Sequence, residues 1–209
     1  MGMAALLKGL PKVASTGRAM AAKVAIRAKV LAEIGAANAR VFDAFAGEGH
    51  MHKAVWSQAS DYVGCDKLFI RDDRPAFVAD NRRVLRAIDL SRYNLFDLDA
   101  YGSPWEQVCI IANRRKLKPG ERLGLVITEG EGMKMKMGGM SVALAQLAGV
   151  HHFMAGAGTM TAQGEIITRA TNRAAKMMGG AVTRRWEASI KTGSSMHYVG
   201  FIIEAAAVQ

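Results

Sequence analysis

A chain of 209 residues, half of them apolar or aromatic, suffices for one domain with a full core, with or without an appendage. No apolar run approaches the length of a membrane span, and no signal peptide is evident. A net charge of +10 favours polyanionic partners, nucleic acid first and an anionic membrane surface second.

Residues 1–38 form a basic N-terminal segment. Lys8, Lys12, Arg18, Lys23, Arg27 and Lys29 precede the first acid, Glu33. Met20, Val24, Leu31 and Ile34 recur at helical spacing, so a packed helix with a cationic outer face is expected, capped by Ser15 or Thr16. The same composition suits a basic arm on nucleic acid or an organellar transit peptide.

Residues 39–209 are expected to form the main domain. Strands at 40–45, 61–66, 76–80, 93–101 and 122–128 alternate with helices at 51–60, 81–90 and 103 to about 118. Ser103, Pro104 and Glu106 suggest a capping box for the last of these helices. Alternation of this kind means a mostly parallel sheet covered on both faces. A Gly- and Met-rich stretch at 129–140 follows, in which Met133, Met135 and Met137 pack inward or line a pocket. Helices are then expected from Ser141 and over 162–178, and strands 181–190 and 196–204 close the chain as an antiparallel pair. Trp105 and Trp186 read as core. Cys65 and Cys109 sit in apolar runs without a CxxC neighbour. They read as buried thiols in a reducing, cytoplasmic setting rather than a disulfide, and no metal site is expected.

The stretch VFDAFAGEGHM, 41–51, ends a buried strand on Asp43 and two glycines, Gly47 and Gly49. Open parallel sheets bind ligands at that edge. The third glycine of a dinucleotide fingerprint is absent, and Glu48 would sit badly beside a pyrophosphate. A carboxylate there suits a ligand ammonium, as in S-adenosylmethionine (SAM). Asp66 ends the second strand at the spacing of a ribose-binding acid. Asp80 ends the third, where an adenine amino group could donate to it.

VFDAFAGEGHM, VGCDKL and FVADNRR resemble the first three motifs of class I SAM-dependent methyltransferases, in motif order over about residues 39 to 130. The resemblance implies a Rossmann-like α/β fold of seven strands with an antiparallel last strand. It also implies SAM as cofactor, held by Asp43, Phe45, Ala46, Gly47, Gly49, Met51, Asp66, Lys67, Asp80 and Asn81. DLDAYGSP, 97–104, falls where that family faces its acceptor. It locally resembles the DLDPFGSP motif of tRNA guanine-N2 dimethyltransferases, with Ala100 in place of proline. Asp99, the Ala100 carbonyl and Tyr101 are the implied catalytic groups, as two acceptors and a stacking ring for an exocyclic base amine. Asp97 is expected to brace the strand end. Lys134 and Lys136 are candidate phosphate contacts. The expected function is methylation of an amino group in nucleic acid, RNA ahead of DNA. The alternatives are a DNA adenine or cytosine amino-methyltransferase and a non-catalytic nucleic-acid-binding module on the same fold.

Overall fold

The computed structural model describes residues 17–68, 72–152, 162–192 and 194–205. Lys8, Lys12 and the expected cap residues Ser15 and Thr16 lie outside them. Seven strands form one sheet: β1 (Arg40–Asp43), β2 (Asp61–Asp66), β3 (Ala76–Val78), β4 (Leu95–Leu98), β5 (Arg122–Glu129), β6 (Gly180–Thr192) and β7 (Ser194–Ala205). Their order is β3-β2-β1-β4-β5-β7-β6. The pairs among β1 to β5 are parallel, and β7 runs antiparallel to both β5 and β6. This is the expected Rossmann-like sheet. The chain leaves β1 for β2 and β3 on one side, then crosses to β4 and β5 on the other. A crevice therefore opens at the carboxyl ends of β1 and β4.

Alternation along the central strands builds two cores. Phe42, Phe96 and Leu125 face one side, packed by α3 (Asn81–Ala87), α4 (Trp105–Arg114), α6 (Val142–Ala148) and α7 (Gln163–Met177). Val41, Leu95 and Val126 face the other, packed by α1 (Gly17–Ile34) and α2 (His50–Ala54). Helix α1 docks closely because two strand positions lack side chains. A Cβ on Gly200 would come within 2.7 Å of Val30 and 2.8 Å of Ile26, and one on Gly124 within 2.7 Å of Val30.

Several local expectations are corrected. Lys23 is half-buried and Arg27 fully so, hence the cations of α1 do not all form an outer face; only Arg18 and Lys29 stay exposed. Strand β4 stops at Leu98, because Asp99 and its successors turn out over the sheet edge. Ser103 does not cap α4: its hydroxyl meets Ser141 Oγ at 3.1 Å, and Glu106 pairs with Arg82 and Arg86 instead. A short helix α5 (Gly132–Lys136) forms within the Gly/Met stretch; Met135 is buried beneath it, while Met133 and Met137 are exposed. Trp105 is fully buried, and Trp186 is half-buried against the α1-side core. Among the described residues no helix is long and apolar enough to cross a membrane.

Candidate active site

The glycine loop is pinned to β2. Ala46 N–H donates to the Cys65 carbonyl (3.1 Å), and Gly47 N–H to Asp66 Oδ2 (3.0 Å). Gly49 adopts the left-handed conformation (φ 78°) that starts α2. Arg74, from the β2–β3 crossover, clamps the loop by donating to the carbonyls of Ala46 (3.2 Å) and Gly47 (2.9 Å). A Cβ on Gly49 would lie 2.7 Å from its guanidinium carbon. The missing side chain at Gly49 thus admits Arg74, a residue the sequence motif did not single out.

Asp66 also accepts from Leu68 N–H (2.9 Å) and is half-buried. Each of its oxygens keeps acceptor capacity, as a ribose diol would require. Asp80 is more committed. It caps α3 through Arg82 N–H and pairs with the side chains of Arg82 (2.8 Å) and Lys67 (3.1 Å). The Arg82 hydrogen bonds hold its carboxyl far below the usual range. A ligand amino group would compete there with two cations. Asn81 is buried and clips strand to helices: its amide donates to the Ala44 carbonyl (2.7 Å) and accepts from Gln107 (2.9 Å). Met51 packs in the α1-side core and Phe45 partly against the opposite one, while Ala46 is buried. Side chains at 45, 46, 51 and 81 therefore build the loop.

Under α1, acids from neighbouring strands meet. Asp43 and Asp97 are register partners across β1 and β4. Asp43 is only 2% exposed and accepts from Phe45 N–H (3.1 Å) and Tyr62 Oη (3.0 Å). Burial, reinforced by the charge of Asp97, pushes its carboxyl up to about 8. Asp97 braces the strand end, as expected. It takes both arms of Arg27 at 2.7 Å and the Trp56 indole N–H at 2.7 Å. Burial works against the Arg27 guanidinium, but Asp97 and Asp99 overcome it and keep the charge in place.

Asp99 lies one step further out. Its Oδ2 receives Lys23 Nζ at 2.9 Å and lies 3.6 Å from Arg27. Burial opposes ionisation, yet Arg27 and Lys23 together hold this carboxyl below the usual range. The Thr128 hydroxyl stands beside it, but neither Asp99 Oδ1 nor Thr128 Oγ1 makes a well-formed hydrogen bond. Ala100 is buried and Tyr101 is 82% exposed, so the loop offers a free ring beside a carboxylate that is itself largely covered. Gly102 accepts from Gly130 N–H (2.7 Å), which ties this loop to the end of β5. There the sequence reading missed Glu129. It is fully buried, accepts from the Trp105 indole and from Glu131 N–H (2.7 Å), and is raised by burial to about 8.

The histidines stay local. His50 lies 3.5 Å from Glu48, His52 packs on the Tyr62 ring, and His151 stacks on His152. Among the described residues no cluster could hold a metal ion, and both cysteines are free thiols.

No family model matches the sequence, and no curated protein does. Solved structures do match. M. jannaschii TYW2 in complex with AdoMet superposes with a TM-score of 0.56 at 15% identity, covering 93% of this chain and 80% of that one. The N-methyltransferase NodS from Bradyrhizobium japonicum, in complex with S-adenosylhomocysteine, gives 0.51 at 10% identity, covering 86% and 85%. Magnesium protoporphyrin IX methyltransferase from Synechocystis, also with bound S-adenosylhomocysteine, gives 0.51 at 11%, covering 89% and 83%. The fold is that of the class I SAM-dependent methyltransferases. The residues of the β1–β4 crevice are compatible with SAM. Asp66 has lone pairs to spare for a diol, the loop is exposed at Gly47 and Glu48, and neither hydrogen-bond partner of buried Asp43 is a cation. Positive charge arriving near Asp43 would relieve the unfavourable ionisation of that carboxyl.

Proposed function

We propose that the protein is a SAM-dependent N-methyltransferase whose acceptor is an exocyclic amino group of nucleic acid, with RNA ahead of DNA. The observation that carries this reading is the pairing of a cation-stabilised carboxylate, Asp99, with the exposed ring of Tyr101 at the end of β4, beside the crevice. SAM would supply an electrophilic methyl group. Asp66 would hold its ribose, the 45–49 backbone its methionine part, and Asp43 the field that favours its positive charge.

The lone pair of an exocyclic base amine is delocalised into the ring. Acceptors aimed at its hydrogens return density to nitrogen and stabilise the charge that grows there during transfer. Asp99 Oδ1, a buried oxygen without a well-formed bond that the incoming base must uncover, and the Ala100 carbonyl are the groups for this task. A carboxyl held this low acts as a hydrogen-bond acceptor rather than a base, so the surplus proton leaves to solvent. Tyr101 stacks on the base. If the target lies in a duplex, the base must first leave the stack.

The non-catalytic alternative draws support from Lys23, which already occupies Asp99 Oδ2. Variants separate the two readings. Asp66→Ala should weaken SAM binding by about 1.5–3 kcal/mol in calorimetry. Asp99→Ala should leave that binding nearly intact while lowering single-turnover methyl transfer to RNA roughly a hundredfold or more. A wild-type protein that binds RNA but neither binds SAM nor transfers methyl would establish the binding-module reading.

A further inference from the structure

Helix α6 joins the acceptor edge to a second feature. Its cap, Ser141, touches Ser103 of the acceptor loop. At its other end, Leu147 and Ala148 line a shallow, open cleft of about 360 Å³ together with Arg169, Asn172, Arg173 and Lys176 of α7. Arg169 is paired with Glu165 on its own helix. No ion pair among the described residues engages Arg173 or Lys176, and both are exposed.

Attraction to the helix dipole would explain a cation in the last turn, such as Lys176, but it fades within that turn and leaves Arg173 and Arg169 unexplained. A concave, cation-walled site suits a compact anion. A lipid surface suits it poorly, because interfacial binding needs exposed apolar side chains next to the cations. The exposed large hydrophobics among the described residues are Leu68, Phe77, Val78, Tyr101, Met133, Met137 and Val142, and none of them lines the cleft. The seven residues of α6 span about 10 Å at 1.5 Å per residue. A single strand held at the acceptor edge covers such a distance within a few nucleotides.

We propose that the cleft between α6 and α7 binds a backbone phosphate of the RNA whose target base is presented at the Asp99–Tyr101 edge, a few nucleotides away. The proposal rests on the nucleic-acid reading above and adds to it a second anchoring point that sets the register of the strand.

The test uses a dye-labelled single-stranded oligoribonucleotide, titrated at several salt concentrations with the wild-type protein and two double charge reversals. One is Arg173→Glu with Lys176→Glu in the cleft. The other, Arg18→Glu with Lys29→Glu on the exposed face of α1, makes the same change in net charge. The cleft variant should bind at least about tenfold more weakly at low salt and lose about 0.7 from the log–log salt slope, for one lost phosphate contact on a single strand. The α1 variant should lose clearly less on both measures. Equal losses in the two variants, or none in the cleft variant, would overturn the cleft as a specific site while leaving the proposed reaction standing. No RNA binding by the wild type would overturn both. A parallel arm uses vesicles rich in anionic lipid; loss of vesicle binding in the cleft variant, with RNA binding unchanged, would overturn the proposal in favour of a membrane site.

Discussion

Arg27 shows what one residue does here and why the sequence hid it. Along the chain it is one of several cations on a helix whose single acid is Glu33, and such residues are usually solvated. Its partner Asp97 lies 70 positions away, a separation that local pattern cannot read. Only the packing of α1 over the β1–β4 boundary brings them together. Asp97 was readable as a strand brace, but the group it braces was not. Arg27→Met should cost about 3–5 kcal/mol in denaturant unfolding, because it strands a buried carboxylate; a loss under about 1 kcal/mol would mean that Asp97 is stable without its partner. Asp43 gives a prediction of different sign. Burial raises its carboxyl to about 8, well above the ordinary carboxylate range, so between the two the folded state holds a proton that the unfolded state releases. Stability from this group is present at low pH and is lost as pH rises through that window. Asp43→Asn keeps a neutral partner for Tyr62. Relative to this variant, the wild type should therefore lose melting temperature between about pH 4 and 8. Parallel melting curves across that range would show that Asp43 is ionised throughout.

At the scale of elements, order and type were readable because buried parallel strands alternate with amphipathic helices and glycine turns mark the joints. The ends were harder. Tyr93 continues the apolar pattern of β4 on the N-terminal side but is core outside the strand, and the octet after Leu98 leaves the sheet to build the edge. Helix α5 was not readable, since a five-residue helix in a Gly/Met stretch leaves no period to detect. The docking of α1 was only half visible: its apolar stripe could be seen, but the glycines that receive it could not. Gly200→Ala places a methyl within van der Waals overlap of Val30 and Ile26. It should destabilise the fold by about 1–3 kcal/mol, read from the midpoint of denaturant unfolding. A neutral result would mean that α1 shifts freely over the sheet, and the Arg27–Asp97 contact would then be expected to weaken with it.

For the whole molecule, the sheet order with its reversal between β1 and β4 places the glycine loop, Asp66 and the Asp99 loop around one crevice. The sequence motifs led to that edge. They did not reveal the clamp of Arg74, the buried Glu129 or the saturation of Asp80 by two cations, since each depends on long-range packing or on neighbours that look solvated in sequence. The central claim is methyl transfer to a base amino group. It is tested most directly by incubating the purified protein with isotopically labelled SAM and bulk RNA, then identifying the labelled nucleoside by mass spectrometry. Label is expected on a nucleoside methylated at its exocyclic nitrogen, and none when Asp99→Ala replaces the wild type over the same short incubation. Label on a ribose oxygen or a ring carbon, or no label in RNA or DNA despite measurable SAM binding, would contradict it.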